Sequence, residues 1–233
     1  MEKNVLADHD HPSVIRKAME LTVGATCDRE KIHRIFLYVR DGIRFGFPSN
    51  GDLVKASDTI RTGTGQCNTK STLFLALSRA AGIPTRVHFS SIKKEIQRGL
   101  FTGIAYALMP DTISHSWAEV LVDRTWHRID SFINDMSFYL AGKEELKKRQ
   151  WNIGFSISCE AGDSSAELHL DDEKFVQMGA VVDDHGVWDE PLEYYCSPLY
   201  QNRPGMIKLL MYRLSIKAIN KRVQGMREGC VKE

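Results

Sequence analysis

Cys67, His115 and Asp130 are the residues of this chain whose types and order suit covalent chemistry: a thiol, a base and a carboxylate. Cys67 closes the segment Gly63-Thr64-Gly65-Gln66-Cys67, whose two glycines let the backbone turn tightly before the thiol. The run from Thr69 to Ala81 then carries Leu73, Leu77 and Ala80 on one helical face, which predicts a helix with Cys67 at its N-terminus. Unpaired N–H groups and the positive dipole end favour thiolate there, and thiolate is the nucleophile. His115 is the expected proton acceptor and later donor. Asp130 is expected to hold the imidazole by accepting from its far N–H. Attack on an acyl carbon through a thioester intermediate is the reaction such a set performs. An oxyanion site needs two donors. The Cys67 backbone N–H is one, and the side-chain amide of Gln66 is the candidate for the second, with Asn50 and Asn68 as further options. Trp117 shares the strand face of His115, where it either lines the substrate path or packs in the core.

These residues need a helix and a hairpin to meet. Ser114 to Val122 alternates, Asp123-Arg124 reads as a turn, and Thr125 to Asp130 returns as a second strand. Facing residues in that hairpin have numbers summing to about 247, so His115 and Asp130 share a face as diagonal neighbours, whereas a one-residue slip would part them. Upstream, Thr85 to Ile92 reads as a first core strand. Helices are expected over residues 12 to 23, from Asp28 as N-cap to Gly42, and in a short piece opening at Ser57-Asp58. The stretch Lys93 to Thr112 reads as an irregular insertion that shapes access to the site. Beyond Met136 the pattern predicts a helix over 138 to 150, a strand near 155 to 159, and a closing helix from Gly205 to Arg222. That last helix carries an apolar stripe of Ile207, Leu210, Met211, Leu214 and Ala218.

With these motifs the chain resembles the transglutaminase-like superfamily of papain-like thiol enzymes. The Gly-x-Cys helix opening, the Leu77 to Arg86 segment, the strand His115-Ser116-Trp117-Ala118-Glu119-Val120 and the strand Trp126 to Asp130 carry the likeness, which covers roughly Asp58 to Phe132. It implies an α+β fold with the nucleophile helix packed on an antiparallel sheet, flanked by N-terminal helices and a C-terminal helix. It also implies a triad of Cys67, His115 and Asp130. The expected function is cysteine-dependent hydrolysis of an amide or peptide bond; transfer to an amine, or a catalytically silent binding module of the same fold, are the alternatives. One domain over residues 1–233 is expected, with a core of about 28–135 and an embellishment of about 136–233.

Composition narrows the setting. A hydrophobic content of 42%, charged content of 26% and net charge of +1 are those of an ordinary globular protein, with no electrostatic case for nucleic acid or a membrane surface. No apolar run approaches the roughly 18 residues of a spanning helix and no signal-peptide pattern opens the chain, so a cytoplasmic protein with a peptide- or amide-containing substrate is expected. The five cysteines (27, 67, 159, 196, 230) lack Cys-x-x-Cys spacing, which argues against both disulfides and zinc. No cofactor is expected and no metal site is assigned. Asp8, His9, Asp10 and His11 have ligand chemistry but sit on an N-terminal tail. His88 and His127 read as structural, and Asp171-Asp172-Glu173 and Asp183-Asp184 as solvated turns.

Overall fold

A computed structural model describes residues 5–201, 203 and 206–229. Pro12, suited by its fixed φ to a first helical turn, opens α1 (Pro12–Thr22), with the His11 imidazole accepting from Ser13 N at 3.2 Å. Helix α2 (Asp28–Leu37) has Cys27 as N-cap rather than Asp28; Asp28 and Glu30 lie in its first turn, where the helix dipole favours acids. A π-helical turn over Tyr38–Gly42 leads to β1 (Arg44–Phe45). Helix α3 (Ala56–Thr62) stops at Gly63, whose φ of +63° suits glycine, and β2 (Thr64–Gly65) pairs in parallel with β1. Gly65 has no room for a side chain: a Cβ there would lie 2.8 Å from Thr69 Oγ1 and 2.9 Å from Lys70 Cγ. Helix α4 (Cys67–Ala80) follows directly.

Four antiparallel strands form the main sheet, in the order β5-β4-β3-β8: β3 (Thr85–Lys93), β4 (Thr112–Val122), β5 (Thr125–Ile129) and β8 (Val181–Trp188). Between β3 and β4 lies a 3-10 turn at Lys94–Gln97 and the short α5 (Gly103–Ala107), whose Ile104 is exposed. After β5 come α6 (Met136–Arg149), the small hairpin β6 (Ile153–Gly154) and β7 (Ile157–Ser158), then after β8 α7 (Pro191–Cys196) and α8 (Met206–Arg227). The insertion packs its Ile96 with Ile92 and Ile153, against the sheet and the small hairpin. One continuous apolar core draws on residues from Leu6 to Met226.

The hairpin has the expected register: Ala118 faces Ile129 and Val122 faces Thr125, and Asp123 and Arg124 take φ of 51° and 67° as a two-residue primed turn requires. Other expectations change. Helix α4 is buried on every side from Cys67 to Ser78, not along one stripe, because α1 and α3 pack on it from one side and β3 and β4 from the other. Asp183 and Asp184 are not turn residues but lie in edge strand β8 opposite Ser91 and Ser90. The tail residue Asp8 is fixed, accepting from Ser57 N at 3.0 Å and Ser57 Oγ at 2.6 Å. In α8 the buried residues are Ile216, Ile219, Val223 and Met226, while Leu210, Leu214 and Ala218 of the expected stripe are exposed. Gly205, the side chains of Ile207 and Met211, and Cys230 lie outside the described residues.

Charged groups lock the last helix and the nucleophile helix in place. Asp135 caps α6 through Phe138 N (3.1 Å), accepts from Phe45 N (2.8 Å) and pairs with Arg227 of α8 at 2.5 Å, with both side chains buried. Burial opposes the Asp135 charge, but Arg227 outweighs it and holds the carboxyl below its ordinary range. Lys70 of α4 is fully buried and donates to the carbonyls of Arg40 (3.0 Å) and Ile133 (2.9 Å); burial pushes its pKa down to about 7. Replacing Asp135 by Ala strands the Arg227 charge, so urea unfolding should show a loss of about 3–5 kcal/mol with an unchanged m-value.

Candidate active site

At the start of α4 the chain forms a capping box: Gln66 N donates to Thr69 Oγ1 at 2.9 Å, and the Gln66 side chain turns back over the first turn. Its carbonyl Oε1 accepts from Asn68 N at 3.1 Å and lies 2.8 Å from Cys67 Sγ, whose S–H it accepts. Its amide Nε2 donates to Asp52 Oδ1 at 2.5 Å. The network fixes the amide orientation, since reversal would set N–H against the Asn68 N–H and oxygen against a carboxylate. Gln66 therefore presents an acceptor to the sulfur, and its donor end, the expected oxyanion contact, is held by Asp52.

Cys67 is buried, with 8% of its surface exposed. Its sulfur is also faced by the backbone N–H groups of Asn68 and Ser116, which brings it against the peptide joining His115 to Ser116. Ser71, one turn along α4, donates to Ser116 O at 3.1 Å and pins the helix to the strand there. His115 is fully buried, and neither ring nitrogen has a hydrogen-bond partner among the described residues. Asp130, one residue beyond β5, accepts from the backbone N–H groups of Val176 (2.7 Å), Gln177 (2.7 Å) and Met178 (2.9 Å). The structure thus gathers sulfur and strand, and turns Asp130, beyond the end of β5, to the backbone of residues 176–178, without a bond between imidazole and carboxylate.

Electrostatics at rest differ from those expected of a helix N-terminus. Burial pushes the Cys67 thiol well above its ordinary pKa and the nearby Asp52 charge adds to this; the N–H groups of Asn68 and Ser116 oppose it but are outweighed. Burial alone takes His115 down to about 3. Burial likewise takes Asp130 up to about 6, against the pull of four backbone donors, those of residues 176–178 and its own. The resting pair is a neutral thiol and a neutral imidazole. A dipole end cannot hold thiolate where water is excluded and the nearest charges are carboxylates.

Further along the same sheet face, Trp117 is buried, its ring 6.0 Å from that of His115 and stacked at 4.2 Å on His88. It serves as a wall behind the imidazole. His88 bridges the buried Glu119 (2.8 Å) and Asp184 (2.6 Å); burial opposes its charge, but the two carboxylates prevail and raise its pKa. His127 bonds the Leu170 carbonyl at 2.6 Å, a structural contact. Around the mouth, Tyr200 OH donates to Asp52 Oδ2 at 2.8 Å, and Tyr194, Tyr195 and Tyr200 pack together over Phe89. Asp52 and these tyrosines carried no sequence signal, since only folding brings them to Cys67. A separate surface hollow of about 530 Å³ beside the β4–β5 turn is lined by Arg29, Asp123 and Asp171, which already pair with one another. The four described cysteines are all unpaired, and no described helix is long and apolar enough to cross a membrane.

A family model described as the transglutaminase-like superfamily matches residues 15–131, half of the chain. Among curated proteins none matches the sequence. Solved structures similar to it include a "putative cysteine protease" from Cytophaga hutchinsonii, at 15% identity and TM-score 0.47, covering 81% of this chain and 45% of that one. Another is a "putative protease" from Parabacteroides distasonis, at 17% identity and TM-score 0.39, covering 54% and 25%. The chain spans less than half of either structure.

Acid sensitivity follows from His115. The unfolded imidazole takes a proton near 6.5 and the folded one only near 3, so folding stability falls as pH drops across that window, by about 1.4 kcal/mol per unit. Asp130, raised to about 6, acts in the opposite sense and adds stability as pH falls from about 6 towards 4. Urea titrations at pH 7 and pH 4.5 should therefore show His115→Gln losing distinctly less stability on acidification than the parent chain.

Proposed function

The chain belongs to the transglutaminase-like superfamily, and from that premise we propose a cysteine-dependent acyl-transfer enzyme that hydrolyses an amide or peptide bond with Cys67, His115 and Asp130. One observation carries the reading: His115 is held dry with both nitrogens unpaired, beside the peptide whose N–H faces the Cys67 sulfur. Each unmade buried hydrogen bond costs about 1–3 kcal/mol, which a reacting partner recovers.

In the proposed reaction the neutral imidazole takes the S–H proton from its resting bond to Gln66. Sulfur bonds to the substrate carbonyl carbon, and the resulting oxyanion is met by the Cys67 backbone N–H, unpaired by its place at the helix start. Collapse breaks the carbon–nitrogen bond, the amine leaves with the proton from His115, and a thioester remains. Water then attacks, giving one proton to the imidazole; the carbon–sulfur bond breaks, the sulfur takes that proton back from the imidazolium, and the carboxylic acid departs, losing its proton to solvent. Asp130 accepts from four backbone N–H groups, those of residues 176–178 and its own, and the imidazole N–H takes the place of the last as positive charge develops. Water is the preferred second nucleophile because it needs no site of its own, whereas transfer to an amine requires a bound neutral acceptor.

A binding module without catalysis is the second reading, favoured by the neutral thiol and by the engagement of Asp130 with residues 176–178. Incubation with mixed unstructured peptides separates the two, scoring free amino groups, ammonia and, with added hydroxylamine, hydroxamate from a trapped thioester. Product from the parent chain that Cys67→Ala abolishes and His115→Ala lowers by about a thousandfold or more supports the enzyme. Product surviving in Cys67→Ala, or no product together with Cys67 alkylation that follows an ordinary thiol, overturns it.

A further inference from the structure

Beside Cys67 lies a carboxylate that no cation pairs with among the described residues. Asp52 receives Gln66 Nε2 at 2.5 Å and Tyr200 OH at 2.8 Å, and the Asn68 side chain also donates to it; all three donors are neutral. Two acids that are more deeply buried have a stronger answer: Asp135 has Arg227, and Asp130 has the backbone N–H groups of residues 176–178. Asp52 itself is only partly buried.

Two orphaned acceptors stand next to it. Asn68 Oδ1, on a side chain 1% exposed, and Tyr195 OH, on a side chain 4% exposed, have no hydrogen-bond partner among the described residues. Asn68 reaches Asp52 with its amide and Ser114 Oγ at 3.3 Å. The Tyr195 ring lies 4.9 Å from that of Tyr200, whose hydroxyl sits on Asp52, and Asp52 is the charge that acts most strongly on the Tyr195 phenol, with Cys67 acting on it as well. A carboxylate, an amide oxygen and a phenol that can accept as well as donate, beside aromatic rings, form a set with more acceptors than donors. A primary ammonium brings three N–H donors and a positive charge, and aromatic faces favour it further. Guanidinium, with donors in a flat fork, suits a bidentate carboxylate instead, and here each Asp52 oxygen already holds a donor.

We propose that Asp52, Asn68 and Tyr195 form a recognition site for a primary ammonium group carried by the substrate close to its scissile amide. This deepens the hydrolase reading and rests on Cys67 being the nucleophile. The bound group is protonated and hence not itself an attacking amine, so the site recognises charge and does not supply the acceptor for transfer. Occupancy also offsets the Asp52 field at the sulfur, so a substrate with the right charge eases loss of the thiol proton.

Methanethiosulfonate reagents of different charge test the site without any substrate. The Cys67 sulfur attacks the sulfenyl sulfur, a disulfide forms, methanesulfinate leaves and the thiol proton passes to solvent. Labelling is scored by mass on the Cys67 peptide, because Cys27 and Cys196 are exposed. Rates are divided by those of free cysteine. The aminoethyl reagent should exceed the sulfonatoethyl reagent by about tenfold or more on the parent chain, a ratio that falls below about twofold in Asp52→Asn. Tyr195→Phe, which keeps the ring and removes only the hydroxyl, should lower the ratio at least twofold and carries the test if Asp52→Asn does not fold. Competition against the aminoethyl reagent by Nα-acetyl-lysine amide or by glycinamide tells a side-chain ammonium from a chain terminus. A ratio near one on the parent chain, or one unchanged in both variants, overturns the proposal. The hydrolase reading fails separately, through product formation by Cys67→Ala.

Discussion

Helix α4 has no solvent face over its first three turns, and most of the structure follows from that constraint. From Cys67 to Ser78 every side chain is buried, although Asn68, Thr69, Lys70, Ser71 and Thr72 are polar. Each such group has to find a partner inside the protein. Thr69 closes the capping box with Gln66, Lys70 reaches two main-chain carbonyls, Ser71 takes Ser116 O, and Thr72 returns to Asn68 O at 2.8 Å. These bonds set the helix against β4 at one register and so place the sulfur against the peptide that joins His115 to Ser116. Among the described residues the buried polar side-chain atoms that find no partner are on Asn68, Ser78, Ser90, Gln97, His115, Ser116 and Tyr195, several of them on α4 and the strands it packs against.

The same dryness governs the charges. Removing water raises the thiol and the Asp130 carboxyl and lowers the imidazole, so the thiol and the imidazole rest neutral, while Asp130, raised only to about 6, stays mostly ionised at neutral pH. Lys70, three residues further along the helix, feels the same penalty. A site of this kind is quiet until something polar enters. The Gln66 carbonyl keeps the thiol proton, the His115 ring waits unpaired, and the Asp52 charge discourages ionisation.

Covering the site falls to the C-terminal third, which the family match does not include. Residues 176–178 close over Asp130 with three N–H groups, and the Asn134, Ser156 and Gln177 side chains knit that segment to the loop after β5. The tyrosines of α7 and the turn after it roof the opposite side and reach Asp52. Edge strand β8 extends the sheet and carries Asp184 to His88. Acidic residues on a strand edge also guard it from pairing with another chain. A common core with its own covering segments is how one fold accommodates different substrates.

How much of this was legible in the chain depends on the range of the forces involved. The helix at Cys67, the β4–β5 hairpin and its register follow from local rules: glycines where φ or crowding demands them, alternation along a strand, a two-residue turn. The pairing of Ala118 with Ile129 and of Val122 with Thr125 could therefore be read from numbering alone. Asp183 and Asp184 read as a turn because aspartate is a poor strand former, and only an open edge beside β3 makes them a strand. The stripe of α8 shifted because the residues it buries depend on Asp135, Pro48 and Phe47, to which Arg227, Tyr212 and Asn220 bind. Protonation at Cys67, the orientation of Gln66 and the whole Asp52 niche are likewise tertiary. They arise from burial and from groups up to 148 residues apart in sequence. The sequence by itself determined which reactive groups exist and which faces they share, because those are matters of spacing. Only the folded structure decided what surrounds them, because desolvation and charge act through space and not along the chain.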